Sequence, residues 1–446
     1  MTGSSPDPVS GLASRPLQRL WQIVRGRLAR NVASLFMIRA ADQITPLLVI
    51  PFIARWLGPE GWGLVAVAQS LALYGVITVQ YGFDVSGTRA IAQNQGNEAR
   101  LAELVGGFIA SQLALGLVVV SAALVVAELV PAFANQTELV VAALASALAQ
   151  GFVPLWYFLG RERVALIAIV SLAGKAITTI MIFILIEGPG DEWLVLMSFA
   201  CGNALASAAG FALILRDVRI QWPGLALIRQ TLRYGFALFL VRMASMIQTG
   251  GNAFLLGLLV APAQVAAFAA GEKLCRPVAW LLLPINVALL PRLAHRLGED
   301  PEHVRRLVGL SVLILGGIGL VFGLLVAVLA PWLVVLVFGT DPGYAGAVTV
   351  LRIMAVIIPL NSLIDALANQ WLIPNGLDRA LSFVTVSSML LNVGLAVSIA
   401  PTFGAQGMAW VTIAVSSYML IGLLVALHRN RLWPELPRLG ALLSRR

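Results

Sequence analysis

The run LVGLSVLILGGIGLVFGLLVAVLA, residues 307–330, decides the fold class, because it contains 24 residues and no charged side chain. A helix needs about 20 consecutive, mostly apolar residues to cross the hydrocarbon core of a bilayer. The whole chain has the same character: 59% of its 446 residues are apolar and only 11% are charged, with a mean hydropathy of +0.90. Soluble domains are typically about 45–50% apolar and about 25% charged. The sequence therefore predicts an all-α, polytopic membrane protein.

Apolar runs of bilayer-spanning length recur along the chain. They predict about twelve transmembrane helices, at residues 31–54, 62–82, 103–127, 138–160, 164–186, 192–215, 234–257, 263–287, 306–329, 347–370, 380–400 and 405–427. A further apolar segment, 333–338, lies in the connection 330–346. It is too short to span the bilayer, so we interpret it as interfacial.

The positions of the basic residues predict which side of the membrane each loop faces. Loops rich in Lys and Arg stay in the cytoplasm. With both termini placed inside, Arg55 is the only Lys or Arg in the loops of the opposite side. This asymmetry supports the helix count, because a missed helix would scramble it. It also accounts for the net charge of +9 without nucleic acid, since basic segments suit contact with an anionic leaflet.

The two halves of the sequence resemble each other. A shift of 203 residues places Arg39 on Arg242 and Pro59 on Pro262. An intramembrane Arg that recurs in phase with a loop Pro indicates two six-helix bundles, and an even helix number makes the repeats parallel. The expected domains are a basic cytoplasmic N-terminal segment (1–30), an N-terminal bundle (31–215), a basic cytoplasmic linker (216–233), a C-terminal bundle (234–427) and a basic cytoplasmic tail (428–446).

Charged side chains inside the apolar runs are the candidate functional residues. Each costs about 2.5–3.5 kcal/mol at the bilayer centre on insertion scales, so such residues usually face a water-filled cavity. Six cations stand against three anions: Arg39, Lys175, Arg242, Lys273, Arg276 and Arg352 against Asp42, Glu272 and Asp365. Pairs such as Arg39 with Asp42 or Glu272 with Arg276 are alternatively structural. The cationic surplus predicts a cavity for an anion, and Arg suits phosphate through bidentate hydrogen bonds.

The three intramembrane carboxylates, Asp42, Glu272 and Asp365, are the candidates for binding a coupling H⁺ or Na⁺, and a structural partnership is an equal alternative for each. The histidines all lie outside the apolar runs, which argues against a metal site. A P-loop of the form GxxxxGK[ST] is absent from the sequence. We therefore expect no metal, no cofactor and no enzymatic activity.

Three motifs resemble a known family. RWLGPEGWG (55–63), QYGFDVSGTRAIA (80–92) and PLWYFLGRER (154–163) resemble the N-terminal part of bacterial Wzx-type O-antigen and polysaccharide flippases. In the third motif the family usually has Gln before the Gly, where this chain has Leu159. The resemblance is good over 31–163 and generic beyond. These proteins are similar to the wider multidrug, oligosaccharidyl-lipid and polysaccharide exporter superfamily, whose fold is two six-helix bundles around a central cavity.

The resemblance implies that the chain moves an undecaprenyl-diphosphate-linked oligosaccharide across a bacterial inner membrane by alternating access. Under that reading, the substrate-binding cations are Arg39 and Arg242, assisted by Lys175, Lys273 and Arg276. Tyr74, Tyr81 and Trp156 are candidates for stacking against sugars, although plain packing is the commoner role of aromatic residues in membrane helices. The implied partners are the lipid-linked oligosaccharide and membrane lipids, with a polysaccharide polymerase and chain-length proteins as further candidates.

Three alternatives remain. A cation-coupled multidrug exporter of the same fold would present acidic residues to cationic drugs, which the cationic surplus disfavours. A flippase of the peptidoglycan-precursor lipid also carries an anionic diphosphate, so charge does not separate it from the first reading. A membrane glycan polymerase or transferase needs a sizeable catalytic loop, and the loops here are short.

Overall fold

The computed structural model describes residues 27–130, 133, 136–280 and 301–434, and all regular structure in these residues is helical. A 3-10 turn, Pro342–Tyr344, precedes α12, and a π-helical turn, Ala368–Leu372, follows α13. The α-helices are α1 (Arg27–Gln80), α2 (Phe83–Gln93), α3 (Glu98–Leu129), α4 (Thr137–Gly151), α5 (Leu155–Gly160), α6 (Val164–Leu185), α7 (Glu192–Asp217), α8 (Leu225–Thr249), α9 (Asn252–Gly257), α10 (Pro262–Trp280), α11 (Pro301–Phe338), α12 (Ala345–Met354), α13 (Ile357–Leu367) and α14 (Asp378–Arg429).

The two longest helices each contain a sharp break. Gly58 in α1 has φ 68° and ψ −178°, and Gly404 in α14 has φ 56° and ψ −136°. Glycine adopts positive φ without the steric penalty of a Cβ atom. Each helix therefore consists of two straight segments that meet at the glycine, and these segments lie where the sequence predicts separate helices.

The helices have the length and surface of membrane spans. Exposed apolar side chains such as Leu117 and Val328 lie on their outer faces, as a hydrocarbon environment requires. Within the described residues, eight helical stretches are long and apolar enough to cross a membrane: Ala33–Gln93, Glu98–Glu128, Thr137–Gly160, Val164–Leu185, Glu192–Asp217, Val304–Phe338, Pro342–Leu372 and Asp378–Arg429. The predicted all-α, polytopic membrane protein is confirmed.

Three local predictions differ from the structure. The segment 330–338 is not a separate interfacial element, because it continues α11 to Phe338. The linker expected at 216–233 includes the first turns of α8, which begins at Leu225. The helix expected at 138–160 is interrupted between α4 and α5, where Pro154 stands. Proline lacks a backbone N–H and cannot continue the hydrogen-bond ladder of a helix.

The first half (27–217) and the second half (225–434) touch at the end of the molecule where α1 breaks, which we call the Gly58 end. A Cβ on Gly63 would lie 1.9 Å from the carbonyl oxygen of Pro262, so this approach of two backbones requires glycine. Nearby, the hydroxyl of Tyr344 donates to the carbonyl oxygen of Ala54 at 2.9 Å. The largest core cluster contains residues of both halves. Tertiary packing therefore holds the halves together at this end.

A second contact between the halves lies at the Tyr81 end, where α1 and α2 meet α8. The ring of Tyr81 stacks on Phe239 with centroids 4.7 Å apart. Asp84 at the start of α2 forms an ion pair with Arg242 of α8. The halves are thus joined at both ends, and cavities lie on α1 between these contacts.

Candidate functional site

The larger cavity, called the main cavity, has a volume of about 620 Å³. One wall is α1 of the first half, which contributes Asp42 and Gln43. The other walls are helices of the second half, namely α8, α10, α13 and α14, which contribute Gln248, Thr249, Glu272, Lys273, Arg276, Asn361, Asp365, Thr385, Asn392 and Thr412 among others. The cavity is therefore built between the two halves, and its wall carries charged and amide side chains among apolar ones.

A smaller cavity, called the side cavity, has a volume of about 220 Å³ and lies against the first half. Its polar and aromatic wall is formed by α1, α4, α6 and α7 and includes Trp62, Gln69, Gln150, Lys175 and Asn203. Asp42, Pro46, Ile50 and Lys273 line both cavities. The two cavities therefore adjoin, with α1 and Lys273 between them.

Helical spacing explains why α1 faces both cavities. Asp42, Pro46 and Ile50 are four residues apart, so they stand on one face of the helix. An acidic side chain, a proline and an apolar side chain thus form the ridge between the cavities.

Three of the predicted intramembrane cations are paired with carboxylates. Lys175 Nζ lies 2.5 Å from Asp42 Oδ1, and Arg276 Nη2 lies 3.1 Å from Glu272 Oε1, one turn earlier on α10. Glu272 and Arg276 therefore form the pair that the sequence left open as an alternative. Asp42 joins α1 to α6 through its pair with Lys175.

The pair of Arg242 with Asp84 corrects the sequence-based charge count. Asp84 follows the predicted helix 62–82 and was therefore not counted among the intramembrane acids. Arg242 lies at the contact between the halves, and its charge is balanced there. The excess of unpaired cations is therefore smaller than the sequence-based count, six cations against three anions, had implied. Arg352 is exposed at the end of α12 and lines neither cavity.

Lys273 is the predicted substrate-binding cation that lines both cavities. Among residues 27–130, 133, 136–280 and 301–434, it forms no ion pair and no side-chain hydrogen bond. Its neighbour Glu272 is engaged by Arg276. The ammonium group is thus available to an anion at the point where the cavities meet. Arg39 is, with Arg242, one of the two main substrate-binding cations that the resemblance implies. Its side chain lies outside the described residues, so its role stays a prediction.

The three coupling candidates have different surroundings. Asp42 is paired with Lys175 and Glu272 with Arg276. Asp365 lines the main cavity, one turn from Asn361 on α13, and forms no ion pair with any residue that the structure describes. Asp365 is therefore the cavity carboxylate with free capacity for a cation.

The predicted aromatic residues are not among the residues that line either cavity. The ring of Tyr74 lies 5.7 Å from that of Phe254, centroid to centroid, and Tyr81 packs on Phe239. Trp156 is only 2% exposed, within the aromatic core of the first half. The structure thus gives these rings packing contacts, which is the alternative that the sequence left open. No carbohydrate reaches Trp156 in this conformation.

Sequence reasoning missed the neutral part of the site. Gln69, Gln150 and Asn203 line the side cavity on three different helices. Each is a single amide in an apolar run, and no motif marks it. A scan for amides in membrane helices would have found them, because polar side chains there usually face the protein interior. In the described residues, no group of three or more His, Cys, Asp or Glu side chains is arranged to hold a metal ion.

Comparison with known families decides the classification. A family model described as polysaccharide biosynthesis protein matches residues 28–296, more than half of the chain. The chain belongs to this family. A second family model, MatE, matches residues 235–398 of this chain. The matched regions include helices that line both cavities.

Two relatives are similar to this chain over most of its length. A protein of Escherichia coli (strain K12) named "Putative O-antigen transporter" is 26% identical over 406 residues, which cover 90% of this chain and 97% of the relative. A protein of Shigella dysenteriae with the same name is 24% identical over 387 residues, which cover 85% and 95%. The similarity therefore extends well beyond the motifs in residues 31–163.

Two solved structures share the fold. An inward-facing multidrug resistance MATE family transporter of the MOP superfamily has a TM-score of 0.66 at 18% identity, covering 90% of this chain and 98% of that chain. Lipid II flippase MurJ in an inward closed conformation has a TM-score of 0.68 at 11% identity, covering 90% and 87%. The chain therefore shares the all-helical membrane fold of these two structures.

Proposed function

We propose that this polysaccharide biosynthesis protein is a flippase for an undecaprenyl-diphosphate-linked oligosaccharide, a repeat unit of O-antigen, capsule or exopolysaccharide. The substrate moves from the cytoplasmic to the periplasmic leaflet of a bacterial inner membrane and is not changed covalently. Family membership and the names of the two relatives support this substrate class. The lipid tail stays in the bilayer while the polar head enters the cavities.

The observation that carries the proposal is the position of Lys273. A cation in a cavity between two membrane-embedded halves attracts an anionic head group, and a diphosphate offers several acceptor oxygens to one ammonium group. Arg276 and Lys175 stand beside it, each held by a carboxylate. A diphosphate bound to Lys273 gains further cationic contacts if it displaces Glu272 or Asp42. These residues therefore form the proposed diphosphate site.

The proposed topology has twelve spans in two six-helix halves. Two of the eight apolar stretches are divided by the breaks at Gly58 and Gly404. Two more spans are α8 with α9, and α10. With both termini in the cytoplasm, the Gly58 end faces the periplasm and the Tyr81 end faces the cytoplasm.

Alternating access follows from this topology. The Gly63–Pro262 contact closes the periplasmic side, and the Asp84–Arg242 pair joins the halves on the cytoplasmic side. Each contact has to break when its side opens. A coupling H⁺ or Na⁺ is best placed at Asp365, which has no charged partner among the described residues.

The alternatives share the fold, so the fold does not separate them. A cationic drug is disfavoured by the ammonium group of Lys273 at the junction of the cavities. The peptidoglycan precursor carries the same kind of diphosphate, and the names of the relatives favour the O-antigen class over it.

Substitution of Lys273 tests the proposal. We expect Lys273→Gln to slow translocation about 10- to 100-fold, since a charge-assisted hydrogen bond contributes about 1.5–3 kcal/mol. Lys273→Arg is the matched control and should retain most of the activity, because it keeps the charge. The assay uses proteoliposomes with a polyprenyl-diphosphate disaccharide labelled on its glycan and a membrane-impermeant quencher. Equal rates for wild type and Lys273→Gln contradict the proposed diphosphate site.

A further inference from the structure

The side cavity contains neutral polar groups without partners. Gln69 on α1, Gln150 on α4 and Asn203 on α7 point to it from three helices. Within the part of the chain that the structure describes, none of these amides makes a side-chain hydrogen bond. Each amide offers one acceptor oxygen and two N–H donors. The wall therefore carries hydrogen-bonding capacity that the protein itself leaves unused.

Two amides of the main cavity, Gln248 and Asn392, are different, because they form hydrogen bonds with other groups of the protein. Gln248 Nε2 donates to Ser388 Oγ at 2.8 Å and to the carbonyl oxygen of Thr385 at 3.1 Å. Asn392 Nδ2 donates to Asn252 Oδ1 at 2.8 Å. These groups stabilise the contact of α8 and α9 with α14. The unused amides of the side cavity have no such structural task.

The charges and the amides at the side cavity define the chemistry of the group that it can bind. Lys175 and Asp42, its charged groups apart from Lys273, neutralise each other. A lipid tail would leave the amides unpaired, which is unfavourable. A neutral group with many hydroxyl or acetamido functions satisfies both the donors and the acceptors of these amides. This combination fits a sugar ring.

We propose that the side cavity binds the sugar that is attached directly to the diphosphate. The inference rests on the proposed function, because Lys273 then holds the diphosphate at the junction of the cavities. The volume of about 220 Å³ is below the range of about 300–1,000 Å³ that is usual for ligand pockets. It therefore suits one sugar rather than a whole oligosaccharide, whose remainder extends into the main cavity.

The test compares purified full-length protein binding three lipids, namely polyprenyl diphosphate and the same lipid bearing one N-acetylglucosamine or one galactose. We expect at least one sugar-bearing lipid to bind wild type more tightly than the sugar-free lipid. Gln150→Leu and Asn203→Leu should each reduce this preference about fivefold, the loss of about one neutral hydrogen bond. Affinity for the sugar-free lipid should be unchanged, which also shows that the variants are folded.

Gln230→Leu is the matched control, because Gln230 is an exposed amide of α8 that lines neither cavity, and it should leave the preference unchanged. If the Gln150 and Asn203 variants keep the wild-type preference, or if Gln230→Leu abolishes it as well, the sugar site is not in the side cavity. Equal binding of all three lipids by wild type refutes the sugar site and leaves the diphosphate site intact. If none of the three lipids binds, the proposed function itself fails.

Discussion

The contact between Gly63 and Pro262 predicts that one added methyl group opens the Gly58 end. A Cβ on residue 63 would stand 1.9 Å from the Pro262 carbonyl oxygen, whereas ordinary contacts are 3.4–4 Å. Gly63→Ala therefore requires the two backbones to separate by more than 1 Å. The substitution thus acts like an extra methyl group forced into a well-packed core. Such defects cost about 1–3 kcal/mol. A shift of about 1.4 kcal/mol changes the ratio of closed to open Gly58 ends about tenfold.

The assay is a distance measurement by electron paramagnetic resonance. Spin labels at positions 60 and 340, both exposed near this contact, report the gap in a background without Cys201 and Cys275. Gly63→Ala should enlarge the population with a long distance about tenfold. The control is Gly317→Ala, a helical glycine whose added Cβ has no atom within 4 Å. Identical distance distributions in the two variants would refute the steric argument.

Three further predictions concern ion pairs and packing. Asp84→Arg should impair translocation because it places two cations at the contact between the halves, and the exchange Asp84→Arg with Arg242→Asp should restore it, as the proteoliposome assay will show. Lys175→Met should lower the melting temperature more than the double change Lys175→Met with Asp42→Leu. The reason is that the single change leaves a membrane-embedded carboxylate unpaired. Equal losses of melting temperature would show that the pair contributes nothing. Trp156→Ala should destabilise the protein by about 3–5 kcal/mol, as truncation of a buried aromatic side chain does. The ratio of the affinities for sugar-bearing and sugar-free lipids should stay unchanged. A changed ratio would mean that the ring contacts the substrate.

The outline of the fold was predictable because the bilayer imposes a local rule. A span needs a continuous apolar run, so residues 307–330 and similar segments are visible without knowledge of their neighbours. Details that depend on backbone geometry were less accessible. The continuation of α11 through 330–338 and the interruption at Pro154 did not change the apolar pattern.

The candidate site was predictable in part for the same reason. Lys273 and Asp42 are charged residues in apolar runs, and both line the cavities. Trp156 also stands out in the sequence, because it lies in a family motif. Its burial in an aromatic core depends on helices that are distant along the chain, so the motif by itself did not separate packing from binding.

The sequence by itself determined that the protein crosses the membrane many times and that its spans contain charged residues. Only the tertiary structure decided which of those charges remain free. Lys175 and Asp42 are 133 residues apart in the chain, and Arg242 and Asp84 are 158 apart. Each pair forms because packed helices bring its members together, whereas hydropathy depends only on neighbouring residues. Among the described side chains that line the cavities, Lys273 is the cation that this pairing leaves without a carboxylate partner.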